Sequence, residues 1–427
     1  PRPFWYDFER QQSSGNTLGV LLERISGYLE KILGSDVRDE ILSFRNSPER
    51  QASSYDVDVL IDALNQPTSL WLIFDNFEAI LSKGGDHFLD EGLEMLFSGL
   101  KHNTHNAKII ISGLFVPRLK DGDYLLEFGT RPITLQGLSE EFAVEYLRAH
   151  GLKDIDNEIL ATIARKLDGH PFALNHAAHY VEALGVQDAL NNLQGGMEEF
   201  SKHFKTSLQQ RLHANEFAVL QDLTVLQRDI SLDGLCWTAQ TKPATIKHLR
   251  EEGLLEASDT GKFWLPSIVR ESLKAENAES NKQAHLRAAQ FYREQKQPPV
   301  PRRIDDFTDV LEWHHHATHA GEIADAYQAV FSTNLADQLM KWNEFGLCAE
   351  LCENTRELLR DKANPLSTEE WIRLNQISGD ASYYLGEYAK CVEYYRTALQ
   401  AFPTDDASAA QANLMVYLAE VQALQGE

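Results

Sequence analysis

The stretch Ser69-Leu70-Trp71-Leu72-Ile73-Phe74-Asp75-Asn76-Phe77-Glu78 decides how this chain folds. An unbroken apolar run closed by an acid is the pattern of a strand buried on both faces, as in a parallel sheet. Open parallel sheets bind ligands at the carboxyl ends of their strands, which is where Asp75 falls. An Asp at that place can reach a magnesium-bound water beside a triphosphate. A buried strand followed by a capping Asp gives the same letters, and the run by itself leaves both readings open.

Outward from this strand, elements of two kinds alternate. Pro3-Phe4-Trp5-Tyr6-Asp7-Phe8 reads as a short aromatic strand. Over 17–33 the apolar residues Leu18, Leu21, Leu22, Ile25, Leu29, Ile32 and Leu33 recur at helical spacing. Residues 57–64 and 88–100 read as helices, Lys108-Ile109-Ile110-Ile111-Ser112 as a second buried strand, and Pro132-Ile133-Thr134-Leu135 as a third. Strands alternating with helices imply a parallel sheet covered on both sides. From Ser139 the strands nearly stop. Ser139 can cap a helix whose first turn holds Glu140 and Glu141. Helices are expected over 156–167, 171–184, 186–193 and 200–209, with Pro171 in a first turn that needs no N–H.

The grammar changes again over 211–275. Helices over 217–223 and 245–252 precede two short strands, Gly253-Leu254-Leu255-Glu256-Ala257 and Phe263-Trp264-Leu265-Pro266, around the turn Asp259-Thr260-Gly261-Lys262. Helix, helix and hairpin predict a winged helix. Beyond Asn281 all reads as helix, interrupted by the stiff linker Gln297-Pro298-Pro299-Val300-Pro301. Gly386-Glu387-Tyr388 is echoed by Gly426-Glu427 and more weakly by Gly321-Glu322-Ile323, which predicts stacked helical repeats. The expected organisation is a truncated parallel α/β domain over 1–138, a helical domain over 139–210, a winged helix over 211–280 and an α-helical solenoid over 281–427.

Composition narrows the function. The 427 residues carry a formal charge of −24, which repels nucleic acid and anionic lipid. No apolar run is long enough to span a membrane. Four cysteines, none in a CxxC pair, fit a reducing cytoplasm better than a disulfide scaffold. Cys348 and Cys352, four apart on one helix face, read as small core residues. The first residue is Pro1, and 421–427 read as the middle of a helical motif, so a piece of a longer chain is expected.

The order of these signals resembles the signal-transducing P-loop ATPases called STAND or NB-ARC proteins. It runs from the apolar strand ending at Asp75, through the Lys108–Ser112 strand and Gly169-His170-Pro171-Phe172-Ala173-Leu174, to a winged helix and helical repeats. The resemblance covers roughly residues 3–280. It implies that Asp75 is the Walker B magnesium carboxylate, with Asn76 beside it. It also implies that Gly169 and Pro171 match the GLPL motif, whose Pro lies against the adenine. Residues 377–403 resemble a tetratricopeptide repeat, with Gly379, Gly386, Tyr388, Tyr395, Ala398 and Pro403 at its preferred positions. ATP or ADP with Mg2+ is thereby implied as cofactor. The repeats would engage a protein trigger, and homo-oligomerisation would accompany activation.

Three departures stand against that pattern. No G-x-x-x-x-G-K-[ST] occurs, so the P-loop would precede Pro1. Ser112-Gly113-Leu114 stands where the family usually has an Arg, and Arg118 comes four residues late. Pro266 and Ser267 stand where a His-Asp pair often senses phosphate. Asn76 also replaces a carboxylate, leaving Glu78 as the nearest candidate base. These departures disfavour fast hydrolysis and favour nucleotide-gated switching. The alternative is a non-hydrolysing scaffold with a degenerate nucleotide domain.

Other constellations carry less. His315 and His319 are spaced as in H-E-x-x-H without the Glu, and His314 to His319 read as the surface of a helical repeat. No nucleophile elbow occurs. The winged helix would present Lys247, His248 and Arg250 to DNA. Its segment 211–275 nevertheless carries 8 basic and 9 acidic residues, too few cations for a DNA reader. Tyr383 or Tyr384 is a candidate for partner contact.

Overall fold

The computed structural model describes residues 3–9, 16–46, 50–66, 70–82, 87–120, 125, 133, 135–187, 190, 204–206, 208–209, 211–258, 261–273, 278–298, 300–360, 364–403 and 409–425. The chain forms two compact units: Pro1–Thr130 with Ala289–Glu427, and Arg131–Ala288. No helix among the described residues is long and apolar enough to cross a membrane.

In the first unit, β1 (Phe4–Asp7), β2 (Trp71–Asp75) and β3 (Lys108–Ile111) form a parallel sheet in the order β1-β2-β3. The register aligns Phe4 with Leu72 and Ile109, and Tyr6 with Phe74 and Ile111. That row meets α1 (Leu18–Leu33), α3 (Ser54–Leu64) and α4 (Glu91–His102) in one core with α2 (Ser35–Ile41) and a 3-10 turn at Ser43–Asn46. Aromatic rings knit it: Phe74 and Phe77 lie 5.1 and 4.8 Å from Phe97, centroid to centroid. Thr17 and Asp90 cap α1 and α4, and Ser53 with Asp56 forms a capping box at α3. Such caps satisfy helix N–H groups that have no partner within the helix.

The opposite row aligns Trp5 with Ile73 and Ile110, and it corrects the expectation of a sheet covered on both sides. Trp5 is 61% exposed, and Trp71 and Ile110 are 43% exposed. The apolar run at β2 is therefore not a two-sided burial signal. Its outward members are apolar as well, so alternation is hidden in the letters. Of the expected strand at Pro132-Ile133-Thr134-Leu135, Pro132 and Thr134 lie outside the described residues. Ile133 and Leu135 are exposed and in no strand.

The C-terminal part of this unit is helical: α13 (Thr308–Ala320), α14 (Ile323–Phe331), α15 (Leu335–Lys341), α16 (Phe345–Glu357), α17 (Thr368–Tyr384), α18 (Tyr388–Ala401) and α19 (Ala409–Gln425). Three of these helices end in the same left-handed turn. Gly321, Asn343 and Gly386 have φ of 75°, 58° and 75°. The following Glu322, Glu344 and Glu387 each donate an N–H back into the helix just ended, to Ala317, Leu339 and Ser382, at 2.9 Å. The echo seen in the sequence is thus a helix-reversal signal, and Asn343-Glu344 is a third copy that the letters disguise. Gly426-Glu427 lies outside the described residues. Gly379 faces Tyr395 so closely that an added Cβ would fall 2.3 Å from the ring. Cys348 and Cys352 are fully buried, as expected. His314 and His316 are also buried, which corrects their assignment to a surface. His314 bonds Thr355 at 3.0 Å, and burial pushes its pKa down to about 4.

In the second unit, α5 (Glu140–Ala149), α6 (Asn157–Lys166) and α7 (Pro171–Leu184) start at the caps Ser139, Asp156 and His170. The helix expected over 186–193 lies largely outside the described residues, and that over 200–209 partly so. Further on, α8 (Ala214–Leu223), α9 (Leu232–Thr238), α10 (Pro243–Glu251) and α11 (Ser267–Leu273) alternate with the strands of a small antiparallel sheet. Its order is β4 (Ile230–Ser231), β6 (Lys262–Trp264), β5 (Glu256–Ala257). Arg287 ties α12 (Ala278–Arg293) to Asp222 at 2.6 Å.

Candidate functional site

The carboxyl ends of the three parallel strands bring together Asp7, Asp75, Asn76, Glu78 and Ser112. Parallel register sets Asp7 directly beside Asp75. Strand alternation turns both toward the side of Trp5 and Ile73. Asp7 is nevertheless buried, while Asp75 is half-buried. After β2 the chain turns sharply at Asn76, which is left-handed with φ 53°, a conformation that Asn tolerates better than most residues. The turn lets the Asn76 amide donate to Asp7 Oδ1 at 2.9 Å while its backbone N–H donates to Asp75 Oδ1 at 3.1 Å. Ser112, just past β3, donates its hydroxyl to the same Asp75 oxygen. Two backbone bonds fix Ser112: its N–H to Phe74 O at 2.9 Å, and Phe77 N–H to its carbonyl at 3.0 Å.

Glu78 sits on the next turn and accepts the Leu114 N–H at 3.2 Å. Gly113 lies between, with its missing Cβ 3.0 Å from Phe77 Cβ and 3.1 Å from Glu78 Oε2. The loop carrying Ser112 and Leu114 can close over Glu78 because Gly113 has no side chain. Ser112 braces Asp75. The Leu114 side chain is exposed.

Gly169 and Pro171 belong to the second unit. Asp168 and Gly169 are both left-handed, with φ of 48° and 67°. The Gly169 N–H closes back onto Ala164 O at 2.9 Å, and Asp168 N–H onto Arg165 O at 3.2 Å, ending α6. A Cβ on Gly169 would lie 2.1 Å from Leu138 O, and one on Gly137 would lie 1.7 Å from Asp168 O. Glycine at 169 is thus demanded by this crossing of two backbones. Pro171 then starts α7 at its first position. Local packing accounts for both residues.

Two features escaped the sequence. Asp7 reads as the end of an aromatic strand, and only the register makes it a partner of Asp75. The second feature is a buried ionic cluster between α1, the turn at Ser43–Asn46 and the start of α16. Arg45 pairs with Glu23 at 3.2 Å and with Glu344 at 2.8 Å, all three nearly sequestered. Glu344 also packs over Gly19, where a Cβ would fall 2.6 Å from its Oε1. Burial raises the Glu344 pKa against the pull of Arg45. Asn343 donates to Phe44 O at 2.8 Å and Gln51 to Tyr384 O at 2.6 Å. These bonds fasten the C-terminal helices to the α/β part of the unit.

Among the described residues, the edge of the sheet offers oxygen ligands: the carboxylates of Asp7, Asp75 and Glu78 and the Ser112 hydroxyl. Such a set suits a hard cation such as Mg2+. The sequence holds no P-loop motif to cradle phosphates.

No protein-family model and no curated protein matches this sequence. Among solved structures, the chain is similar to a Signal Transduction ATPase with Numerous Domains (STAND) protein with a tetratricopeptide repeat sensor from Pyrococcus horikoshii. The TM-score is 0.57 at 16% identity, over 99% of this chain and 65% of that one. The chain has the fold of that STAND protein. It spans 65% of the other's length. A Walker-type ATPase of Pyrococcus abyssi aligns over 64% of this chain and 85% of its own at 16% identity, with a TM-score of 0.32. The STAND-like fold covers both units and the C-terminal helices, so the resemblance reaches beyond residues 3–280.

Proposed function

We propose that this chain is part of a nucleotide-gated signal-transduction switch. ATP or ADP with Mg2+ would sit at the carboxyl edge of the parallel sheet, with Asp75 on the magnesium side. The observation that carries this reading is the convergence of Asp7, Asp75 and Ser112 at the ends of three parallel strands, in a chain with a STAND-like fold. Asp75 would hold the metal or its water shell, and Ser112 and Asn76 would orient the two carboxylates. Gly169 and Pro171 resemble the GLPL motif, whose Pro lies against the adenine in that family. Magnesium there would supply charge neutralisation of the phosphates. We read 1–138 as the nucleotide domain, 139–210 as the helical domain, 211–280 as a winged helix and 281–427 as tetratricopeptide-like repeats that bind a protein trigger. The turns at Gly321, Asn343 and Gly386 support the repeat reading. Within 211–280, Lys247 pairs with Glu251 and His248 with Glu216, which supports an internal role for the winged helix over DNA binding.

The alternative scaffold reading draws on Asn76. Its amide, committed to Asp7, cannot act as a general base, which leaves Glu78, held by the Leu114 N–H, as the nearest candidate. The test is calorimetric binding of Mg2+–ATP and Mg2+–ADP to the natural full-length polypeptide, with an ATPase assay alongside. Binding with slow turnover supports the switch. No nucleotide binding sinks it and leaves the scaffold.

A further inference from the structure

The C-terminal helices enclose a pocket of about 340 Å³ that the nucleotide reading does not use. Four tyrosines line it: Tyr383 and Tyr384 from the end of α17, Tyr395 from α18 and Tyr417 from α19. Two carboxylates, Asp380 and Glu420, face the same space. Among the described residues, no Lys, Arg or His lines it. Tyr383 and Tyr384 lie edge to face at 5.4 Å, and Tyr395 and Tyr417 are 6.4 Å apart.

We propose that this pocket takes the cationic side chain of a lysine or arginine carried on a basic segment of a partner protein. Aromatic faces attract a cation through their quadrupole, and carboxylates beside them supply its countercharge. Asp380 accepts the Tyr395 hydroxyl at 2.7 Å, which fixes both groups at the wall, and a carboxylate retains acceptor capacity beyond one such bond. The cavity is larger than a bare ion needs and within the range of pockets that swallow one long side chain. Beyond it the same face of α19 continues to Leu424, one heptad past Tyr417 and 58% exposed, where the flanking residues of a segment can lie. The chain's charge of −24 draws basic partners and repels anionic ones.

The chemistry makes the site pH-sensitive. Burial holds the Asp380 carboxyl up at about 6, against the pull of the Tyr395 hydrogen bond. The other groups facing it are Glu420 on α19, Cys391 and Tyr395 on α18 and Cys348 on α16. Burial lifts the Cys391 thiol to about 11, Cys348 is also raised, and so is Tyr395, so none of these three titrates near Asp380. A cation pairs with the ionised form, so affinity falls as pH drops below about 6.

The proposal rests on reading the C-terminal helices as partner-binding repeats and names the chemistry of that partner. It is tested without nucleotide, so its failure and that of the nucleotide reading are separable. The chain is titrated calorimetrically with a short Lys-Ser repeat peptide, its Glu-Ser counterpart and tetramethylammonium. The lysine peptide is expected to bind and the glutamate peptide not. Tyr417→Ala and Glu420→Gln, both on the exposed side of α19, should each weaken it about 3–30-fold with an unchanged thermal melt. Asp380→Asn should remove the fall in affinity between pH 7 and pH 5. Equal binding of both peptides, binding of neither, variants that bind as well as the parent, or tetramethylammonium binding as tightly as the peptide would each overturn it.

Discussion

At the carboxyl edge of the sheet, Asp7 and Asp75 stand side by side and accept hydrogen bonds from Asn76 and Ser112. Between α1 and α16, Glu23 and Glu344 are joined by Arg45, which pairs with both. Both pairs belong to one compact unit. The first is partly open to water at Asp75 and is held by an amide and a hydroxyl. The second is sealed, and its charge is met from within the chain. An Asp pair tied by an amide and a hydroxyl and a Glu pair tied by a guanidinium thus differ in exposure and in the donor that joins them.

The largest expected effect comes from breaking the sealed pair. Arg45→Ala leaves the Glu344 carboxylate buried without its countercharge, while Glu23 keeps Arg38 at 3.7 Å, and should cost about 3–5 kcal/mol in urea denaturation. A loss under about 1 kcal/mol would mean that water reaches the cluster. Asp75→Ala tests the other side of the contrast. In the natural full-length polypeptide it should lower magnesium-dependent hydrolysis or binding about 100-fold while moving stability by less than about 1 kcal/mol. Equal damage to stability would make Asp75 structural.

Gly19→Ala presses a methyl group into the Glu344 carboxylate and should cost about 1–3 kcal/mol by the same denaturation assay. Gly113→Ala sharpens the open side, because it displaces Glu78 from the Leu114 amide, and should cost less. Glu350 completes the series as a half-buried acid whose pKa burial lifts to about 7. Its folded pKa lies above the unfolded value, so its contribution is fully present below about 4.5 and is lost as pH rises through about 7. Glu350→Gln should therefore raise stability by about 1 kcal/mol at pH 8 and by much less at pH 4.5, read as paired thermal melts.

Much of this was legible in the letters because it is local. Ser139, Asp156 and Pro171 mark helix starts through bonds made within a few residues, and the structure places all three at those starts. Asp75 at a strand end follows from the apolar run before it. What the letters hid is non-local or ambiguous. Glu23, Arg45 and Glu344 are ordinary charged residues until folding joins positions far apart in sequence. Asp7 gains its meaning only from parallel register with Asp75. Trp71 and Ile73 are apolar but face outward, so a one-sided strand imitates a two-sided one. His314 and His316 look like surface residues because a polar ring in a core is uncommon without a partner such as Thr355.

The bare row of Trp5, Trp71, Ile73 and Ile110 also bears on how the chain survives in a crowded cell. A pleated apolar strip beside β3, which among the described residues pairs only with β2, is what holdase chaperones grip and what a second unfolded chain can extend. Lys108, whose ammonium lies 5.0 Å from the Trp71 ring, sets a cation into that strip, at the strand position where sheet proteins commonly place a gatekeeper.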